Sequence, residues 1–290
     1  MHYVFVYGTL CQQERNHKVL GTSHCVSVYA RVNGQIIDTG FGFPGLVEEE
    51  GTVVGELYEI SEDTLQSLDT LEGYYGPNNP HNLYERKNIE VTTDKRIYSA
   101  WTYTYCVDTD GLPRFSDWKL RSLERESHVV YFAYGSCADM KRIVAAGREQ
   151  DFSEVIGCGI LNGFNLQFSK YSSDGNRADV VETGGHTEGK LYQISSDVLT
   201  GYLYSREGVY TKAYRPIIVN VAHALDLLDP DQSVEAVTFV AVSKSEEQSP
   251  PLEYMEEVLR GLKPIVSEMY YGALLHRFVH EFEFENKEWL

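Results

Sequence analysis

The chain is 290 residues long, more than a single hydrophobic core usually organises and enough for two domains. It is 42% hydrophobic and 23% charged, so each half can bury a core of its own. Twenty-five Lys and Arg against 43 Asp and Glu give a formal charge of −18, which disfavours nucleic acid and anionic membrane surfaces as partners. The start, Met1 to Leu10, has neither the basic region nor the long apolar core of a signal peptide, and no run reaches the roughly 20 apolar residues of a membrane helix. Five widely spaced cysteines form no CxxC pair and suggest neither a disulfide framework nor a zinc ribbon. The expectation is a soluble, cytoplasmic protein.

In chain order, His2–Tyr7 is a short apolar and aromatic run stopped by Gly8, the pattern of a buried strand. Val53–Ile60 predicts a second strand, after which Ser61 can cap a helix with Glu62 and Asp63 in its first turn. Further strands are expected at Lys87–Thr92 and Ile97–Cys106. Asp108 to Ser127, rich in charge and turn formers, reads as a linker. The series then repeats: strands at Val129–Tyr134 and Glu188–Ile194, a cap at Ser195 or Ser196, and strands at Pro216–Val221 and Ala236–Val242.

The repetition extends to individual motifs. VFVYGTL at Val4–Leu10 returns as YFAYGSC at Tyr131–Cys137, and GELYEIS at Gly55–Ser61 returns as GKLYQIS at Gly189–Ser195. LEGYY at Leu71–Tyr75 is echoed by REGVY at Arg206–Tyr210, Tyr84 with its strand by Tyr214, and SAWTYTY at Ser99–Tyr105 by EAVTFVA at Glu235–Ala241. An offset this long means two copies of one domain rather than a solenoid. The expected division is 1–107, a linker at 108–127, and 128–290. The second copy carries an added segment, about Pro250 to Glu283, whose spacing at Met255, Val258, Leu259 and Leu262 is helical. Many strands with few short helices predict an α+β class, each copy a small barrel or curved sheet with helices at its side.

Two features carry candidate chemistry. The turns Tyr7-Gly8-Thr9-Leu10 and Tyr134-Gly135-Ser136-Cys137 offer successive backbone N–H groups, and Thr9 or Ser136 adds a hydroxyl; such a concavity suits a carboxylate or a developing oxyanion. The second feature is Glu72. After Ser61 the apolar positions are Leu65, Leu68 and Leu71, and at 100° per residue Glu72 falls within about 20° of Leu65. The carboxylate thus shares the buried stripe, at the helix end where the macrodipole disfavours an anion. Gly73 supplies the left-handed stop. Burial and dipole both predict a pKa above the roughly 4.3 of a free Glu, as a general base near neutrality requires. In the second copy, Glu207 follows Leu203 by four and precedes Gly208 in the same way.

VFVYGTL followed by GELYEI, a capped helix and LDTLEGYY resembles the gamma-glutamylcyclotransferase superfamily. The first copy, with its NHKVLG continuation, looks most like the gamma-glutamylamine cyclotransferase branch. The second, through FAYGS, the REG motif and PPLEYMEEVL, looks closer to the gamma-glutamylcyclotransferase branch. The resemblance implies a small mixed β-barrel with flanking helices and a cavity at one end. It implies cleavage of a small gamma-glutamyl compound by attack of its own α-amino group on the γ-carbonyl, giving 5-oxoproline and a free amine without metal or cofactor. Glu72 and Glu207 take the role of general base, and the Tyr7–Leu10 and Tyr134–Cys137 loops that of substrate holder. Tyr84 joins the substrate-binding set, as does a late Tyr matched by Tyr254 or Tyr270, with Tyr270 taken into the set. The second copy departs from the pattern where Cys137 and Ala138 replace the usual Asn and Leu.

Other constellations point elsewhere less strongly. Cys11 and Cys137 invite a nucleophile reading, but no Asp or His matches in both copies. His276 and His280 have a ligand spacing without the Glu or third ligand of a metal site. Glu48-Glu49-Glu50 reads as a solvated turn. The competing class is a non-catalytic small-molecule-binding or interaction protein with degenerate sites. Acyl transfer from a carrier-bound gamma-glutamyl group would use the same residues. Oligomeric state is not written in the sequence.

Overall fold

A computed structural model describes residues 1–123, 125–223 and 233–285 of the chain. Two compact units divide it, Met1–Ser122 and Leu123–Leu290. Both are closed five-stranded mixed barrels with a few helices, the α+β architecture expected from the repeat.

In the first unit β1 (His2–Val6) pairs antiparallel with β3 (Pro44–Ile60), from His2 opposite Ile60 to Val6 opposite Glu56. The long strand β2 (His24–Asp38) pairs antiparallel with β3 along most of its length. Helix α1 (Glu62–Leu71) leads to the antiparallel pair β4 (Tyr84–Thr92) and β5 (Ile97–Tyr105). Arg31 opposite Thr92 joins β2 to β4, and a parallel pairing of Val4 with Trp101 joins β1 to β5, which closes the ring.

The second unit repeats that ring. Here β7 (His128–Ala133) pairs with β11 (His186–Ser195), β11 with β8 (Val155–Asn162), β8 with β12 (Tyr214–His223) and β12 with β13 (Ser233–Ala241). Val237 closes it by a parallel pairing with Tyr131. The short helix α3 (Met140–Ala145) follows β7, and the hairpin of β9 (Asn165–Lys170) and β10 (Arg177–Val181) forms a separate two-stranded sheet.

The repeated Gly of the GELYEI and GKLYQI motifs has one structural reason in both units. A Cβ on Gly55 would lie 2.2 Å from the Val6 carbonyl oxygen and 2.7 Å from the Phe5 ring. On Gly189 it would lie 2.7 Å from both the Ala133 carbonyl oxygen and the Phe132 ring. Backbone atoms cannot give way as a side-chain tip can. Gly55→Ala is therefore expected to lower stability by about 1–3 kcal/mol through overpacking, read as a lower urea midpoint at unchanged slope.

Several boundaries differ from expectation. The segment read as a linker carries structure of the first unit: β6 (Arg114–Phe115) pairs with Ile36 and Ile37 of β2, and α2 (Trp118–Leu123) follows. Arg114 grips Glu49 of β3 in a two-pronged ion pair, at 2.7 and 3.2 Å, which ties the segment to the first barrel. Glu48–Glu50 lie within β3 rather than in a turn, with Glu48 paired to Lys87. The strand β2 was not expected; its polar residues and bulges, including one at Asn33/Gln35, hide the two-residue period.

Beyond the second barrel the added segment is helical as its spacing implied: α5 (Leu252–Leu262) and α6 (Glu268–Glu281). The Ser267 side chain caps α6, and both its hydroxyl and its N–H donate to Glu188 of β11.

Candidate active site

Helix α1 begins as the sequence predicts, with the Ser61 hydroxyl accepting from the Thr64 N–H at 3.1 Å. Leu65 and Leu68 enter the core, and Glu72 ends the helix with its own N–H donating to the Leu68 carbonyl at 2.9 Å. Gly73 follows in the left-handed region at φ +64. The second unit reaches the same place by a different helix. A π-helical segment, Val198–Leu203, runs into α4 (Tyr204–Arg206), and Glu207 caps it, followed by Gly208 at φ +63. Both glutamates are thus fixed by a left-handed stop one residue later.

A cavity of about 250 Å³ lies at one end of the first barrel and is lined by the whole Tyr7–Leu10 loop and by Glu72 and Tyr84. Among the described residues, the Glu72 carboxylate has no hydrogen-bond partner. Burial alone pushes its pKa up to about 7. Among the described residues, no protein group accepts from the N–H groups of Gly8, Thr9 and Leu10, which leaves three donors for a ligand.

The loop is held from outside. Asn16 donates its backbone N–H to the Thr9 carbonyl at 2.9 Å and its side-chain amide to Thr9 Oγ1 at 3.0 Å. Buried Glu56 accepts from the Gln12 N–H at 2.9 Å and from the Tyr58 hydroxyl at 2.7 Å. A Cβ on Gly8 would fall 2.4 Å from Pro44 Cγ, so only glycine lets the loop lie against the start of β3.

Tyr7 and Tyr84 line the cavity, but with committed hydroxyls. Tyr7 donates to the Tyr103 carbonyl at 2.7 Å and accepts from the Leu46 N–H at 3.1 Å. Tyr84 donates to the Pro44 carbonyl at 2.5 Å. What they offer a ligand is ring surface. Their counterparts act alike, Tyr134 donating to the Phe239 carbonyl at 2.5 Å and Tyr214 to the Ala178 carbonyl at 2.7 Å.

In the second unit Tyr134, Gly135, Ser136, Cys137 and Glu207 are also brought together, around a narrow space of about 40 Å³. Here the carboxylate is occupied. The Cys137 thiol donates to Glu207 Oε1 at 3.2 Å, and Arg206 Nε lies 3.0 Å from that sulfur and 3.5 Å from the same oxygen. Burial and the nearby carboxylate push the thiol up to about 12, so it stays protonated and able to donate. Burial also raises the Glu207 pKa, against the pull of the thiol and of Arg206.

A wider, polar space of about 290 Å³ adjoins this one, lined by Arg142, Arg177 and Arg206 together with Asp174, Glu253 and Glu257. Two of these arginines are paired there, Arg142 with Glu257 and Arg177 with Asp174.

Of the two late tyrosines, Tyr254 lines the space beside Glu207 and Tyr270, expected there, does not. Tyr254 of α5 lines the narrow space and accepts from the Ala178 N–H at 3.2 Å. Tyr270 belongs to α6, with its ring 5.8 Å from that of His186, and is absent from the cavity lining. Helix α5 is the one that docks on the loop, because Gly261 lets it approach the backbone of Ala138 and Asp139. Arg260 then binds buried Asp139 through two nitrogens, at 2.6 and 3.1 Å. Arg260→Ala leaves Asp139 buried without its ion partner and is expected to lower the stability of the second unit by about 2 kcal/mol, measured by chemical denaturation.

Sequence reasoning missed Arg15, Phe43, Pro44, Leu83 and Tyr103 of the first cavity, and Arg206 of the second. Cys11 lies outside the cavity's chemistry: it is buried, donates weakly to the Val6 carbonyl, and burial raises its pKa well above the ordinary thiol value. Among the described residues, no group of three or more His, Cys, Asp or Glu could hold a metal ion. None of the described helices is long and apolar enough to cross a membrane.

Comparison with known proteins bears on the same segments. A family model described as gamma-glutamyl cyclotransferase, AIG2-like, matches residues 4–120. The Bacillus subtilis (strain 168) protein YkqA is 36% identical over 279 residues, 91% of this chain and 92% of its own length. Its crystal structure superposes with a TM-score of 0.84 at 32% identity, covering 96% of this chain and 98% of that one. A Niallia circulans enzyme named gamma-L-glutamyl-butirosin B gamma-glutamyl cyclotransferase is 42% identical over 129 residues, 44% of this chain and 83% of its own. The chain belongs to the gamma-glutamylcyclotransferase superfamily, as a member that carries the fold twice in one polypeptide.

Proposed function

We propose that the first unit is a cyclotransferase that converts a small gamma-glutamyl amine or peptide to 5-oxoproline and the free amine. The observation that carries this reading is the Glu72 carboxylate, held near neutral pKa without a protein partner, in one cavity with three unused backbone donors. The loop N–H groups receive the substrate's α-carboxylate or the oxyanion that develops on the γ-carbonyl. Glu72 accepts a proton from the α-ammonium, whose nitrogen then attacks the γ-carbonyl carbon. The new C–N bond closes the five-membered ring as the bond to the leaving amine breaks. Two protons leave the ammonium nitrogen in all, and the leaving nitrogen gains two to depart as an ammonium, with Glu72 as relay. Ring closure is intramolecular, so holding the reactive conformer supplies much of the acceleration, up to about 7–11 kcal/mol in favourable systems. None of these steps requires a metal or an organic cofactor.

The second unit supports a different weighting. Cys137 and Arg206 already engage Glu207, which borders both the narrow space and the wider polar one. That favours a binding or reduced role for this copy, with turnover carried by the first. The reaction is tested by incubating the full chain with gamma-glutamyl amides and dipeptides and quantifying products. The expected result is 5-oxoproline and free amine in equal amounts. Glutamate in place of 5-oxoproline means hydrolysis by water and overturns the cyclisation.

A further inference from the structure

The mouth of the first cavity carries features that the glutamyl group does not use. Arg15 is exposed and lines the cavity, and among the described residues its guanidinium has neither an ion-pair nor a hydrogen-bond partner. Among the described residues, it and Glu72 are the only charged side chains of the lining. Its guanidinium lies beside the turn before β3, where a Cβ on Gly42 would stand 3.4 Å from it, an ordinary contact distance. The same turn presents Phe41, 74% exposed, stacked on Phe43 with ring centroids 6.2 Å apart. Phe43 in turn lies 6.3 Å from Tyr84. A file of rings thus runs from solvent to the cavity wall beside one unpaired cation.

We propose that Arg15, Phe41 and Phe43 form the subsite for the leaving amine, and that it selects amines combining a large apolar body with a carboxylate, as in a gamma-glutamyl derivative of an aromatic or large aliphatic amino acid. This rests on the cyclotransferase reading of the first unit. With the glutamyl end at the Gly8–Leu10 loop and Glu72, the amine side of the scissile amide extends toward the remaining lining, where Phe43, Leu71 and Leu83 offer apolar surface and Arg15 the complementary charge. A guanidinium pairs with a carboxylate through two parallel hydrogen bonds and repels a polycationic amine.

The test compares gamma-glutamylphenylalanine, gamma-glutamylphenethylamine and gamma-glutamylputrescine as substrates of the full chain carrying Glu207→Gln, so that only the first unit is read. The expected order of kcat/KM follows that sequence, with about tenfold between the first two compounds, as a charge-assisted hydrogen bond provides. Arg15→Gln should abolish the difference between those two, chiefly through KM. Phe41→Ser should narrow the preference for gamma-glutamylphenylalanine over gamma-glutamylalanine. An Arg15→Gln variant that slows both aromatic compounds equally would place Arg15 on the glutamyl α-carboxylate and overturn the subsite, as would equal rates for all three in the parent. Absence of turnover on every compound overturns the cyclotransferase reading itself.

Discussion

Below neutrality, kcat/KM of the first unit is expected to fall with a slope that approaches about tenfold per pH unit, a loss of roughly fiftyfold between pH 7 and pH 5. The general base must be ionised to take the proton from the substrate's ammonium, and burial holds the Glu72 pKa up to about 7. An ordinary, solvated Glu would place the acid limb near 4.3 and leave activity almost flat over that range. Initial rates of 5-oxoproline release at substrate concentrations well below KM read the limb directly. An inflection near 4 to 5 would mean that the carboxylate is solvated in the working enzyme.

The same burial has a thermodynamic consequence. A carboxyl whose pKa is raised on folding binds its proton more tightly in the native state than in the unfolded one. Its contribution to stability is fully present below the unfolded pKa, near 4.5, and is lost as pH rises through the folded pKa, near 7. Glu72→Gln removes the titration, so it should stabilise the first unit at pH 8 by as much as about 3 kcal/mol while leaving stability near pH 4 little changed. Denaturant midpoints at the two pH values, compared between the variant and the parent chain, read the effect. A variant less stable than the parent at pH 8 would show that the ionised carboxylate is favourably placed, contrary to a strained catalytic group.

Why some residues were legible in the sequence and others were not follows from what each one does. Glu72 and Glu207 could be read because a carboxylate on the apolar stripe of a helix breaks a periodic pattern, and the Gly after each fixes where the helix ends. The loops could be read because each follows a short apolar strand at a Gly, twice. The closed ring of strands followed from the repeat and the β-rich runs, although β2 was hidden by its bulges and its polar residues.

The choice between Tyr254 and Tyr270 was not available to periodicity. Both lie on amphipathic helices, and only the fit of Gly261 against the Ala138–Asp139 backbone decides which helix packs on the loop. Arg15 carries no pattern at all, since an exposed Arg between polar residues is ordinary until a cavity is found beside it. The Cys137–Arg206–Glu207 cluster joins residues about seventy apart, a proximity that only the folded barrel creates. Its chemistry changes the reading of the second unit: the base is present in sequence, yet a thiol and a guanidinium already satisfy it.

The rate of 5-oxoproline release from one gamma-glutamyl substrate, compared among the full chain and its Glu72→Gln and Glu207→Gln variants, decides which carboxylate is the working base. Loss of a general base costs typically 10²–10⁴-fold, so Glu72→Gln should reduce turnover to a small residue while Glu207→Gln retains most of it. Turnover that survives Glu72→Gln and disappears with Glu207→Gln would move the working site to the second barrel and rule out Glu72 as the base.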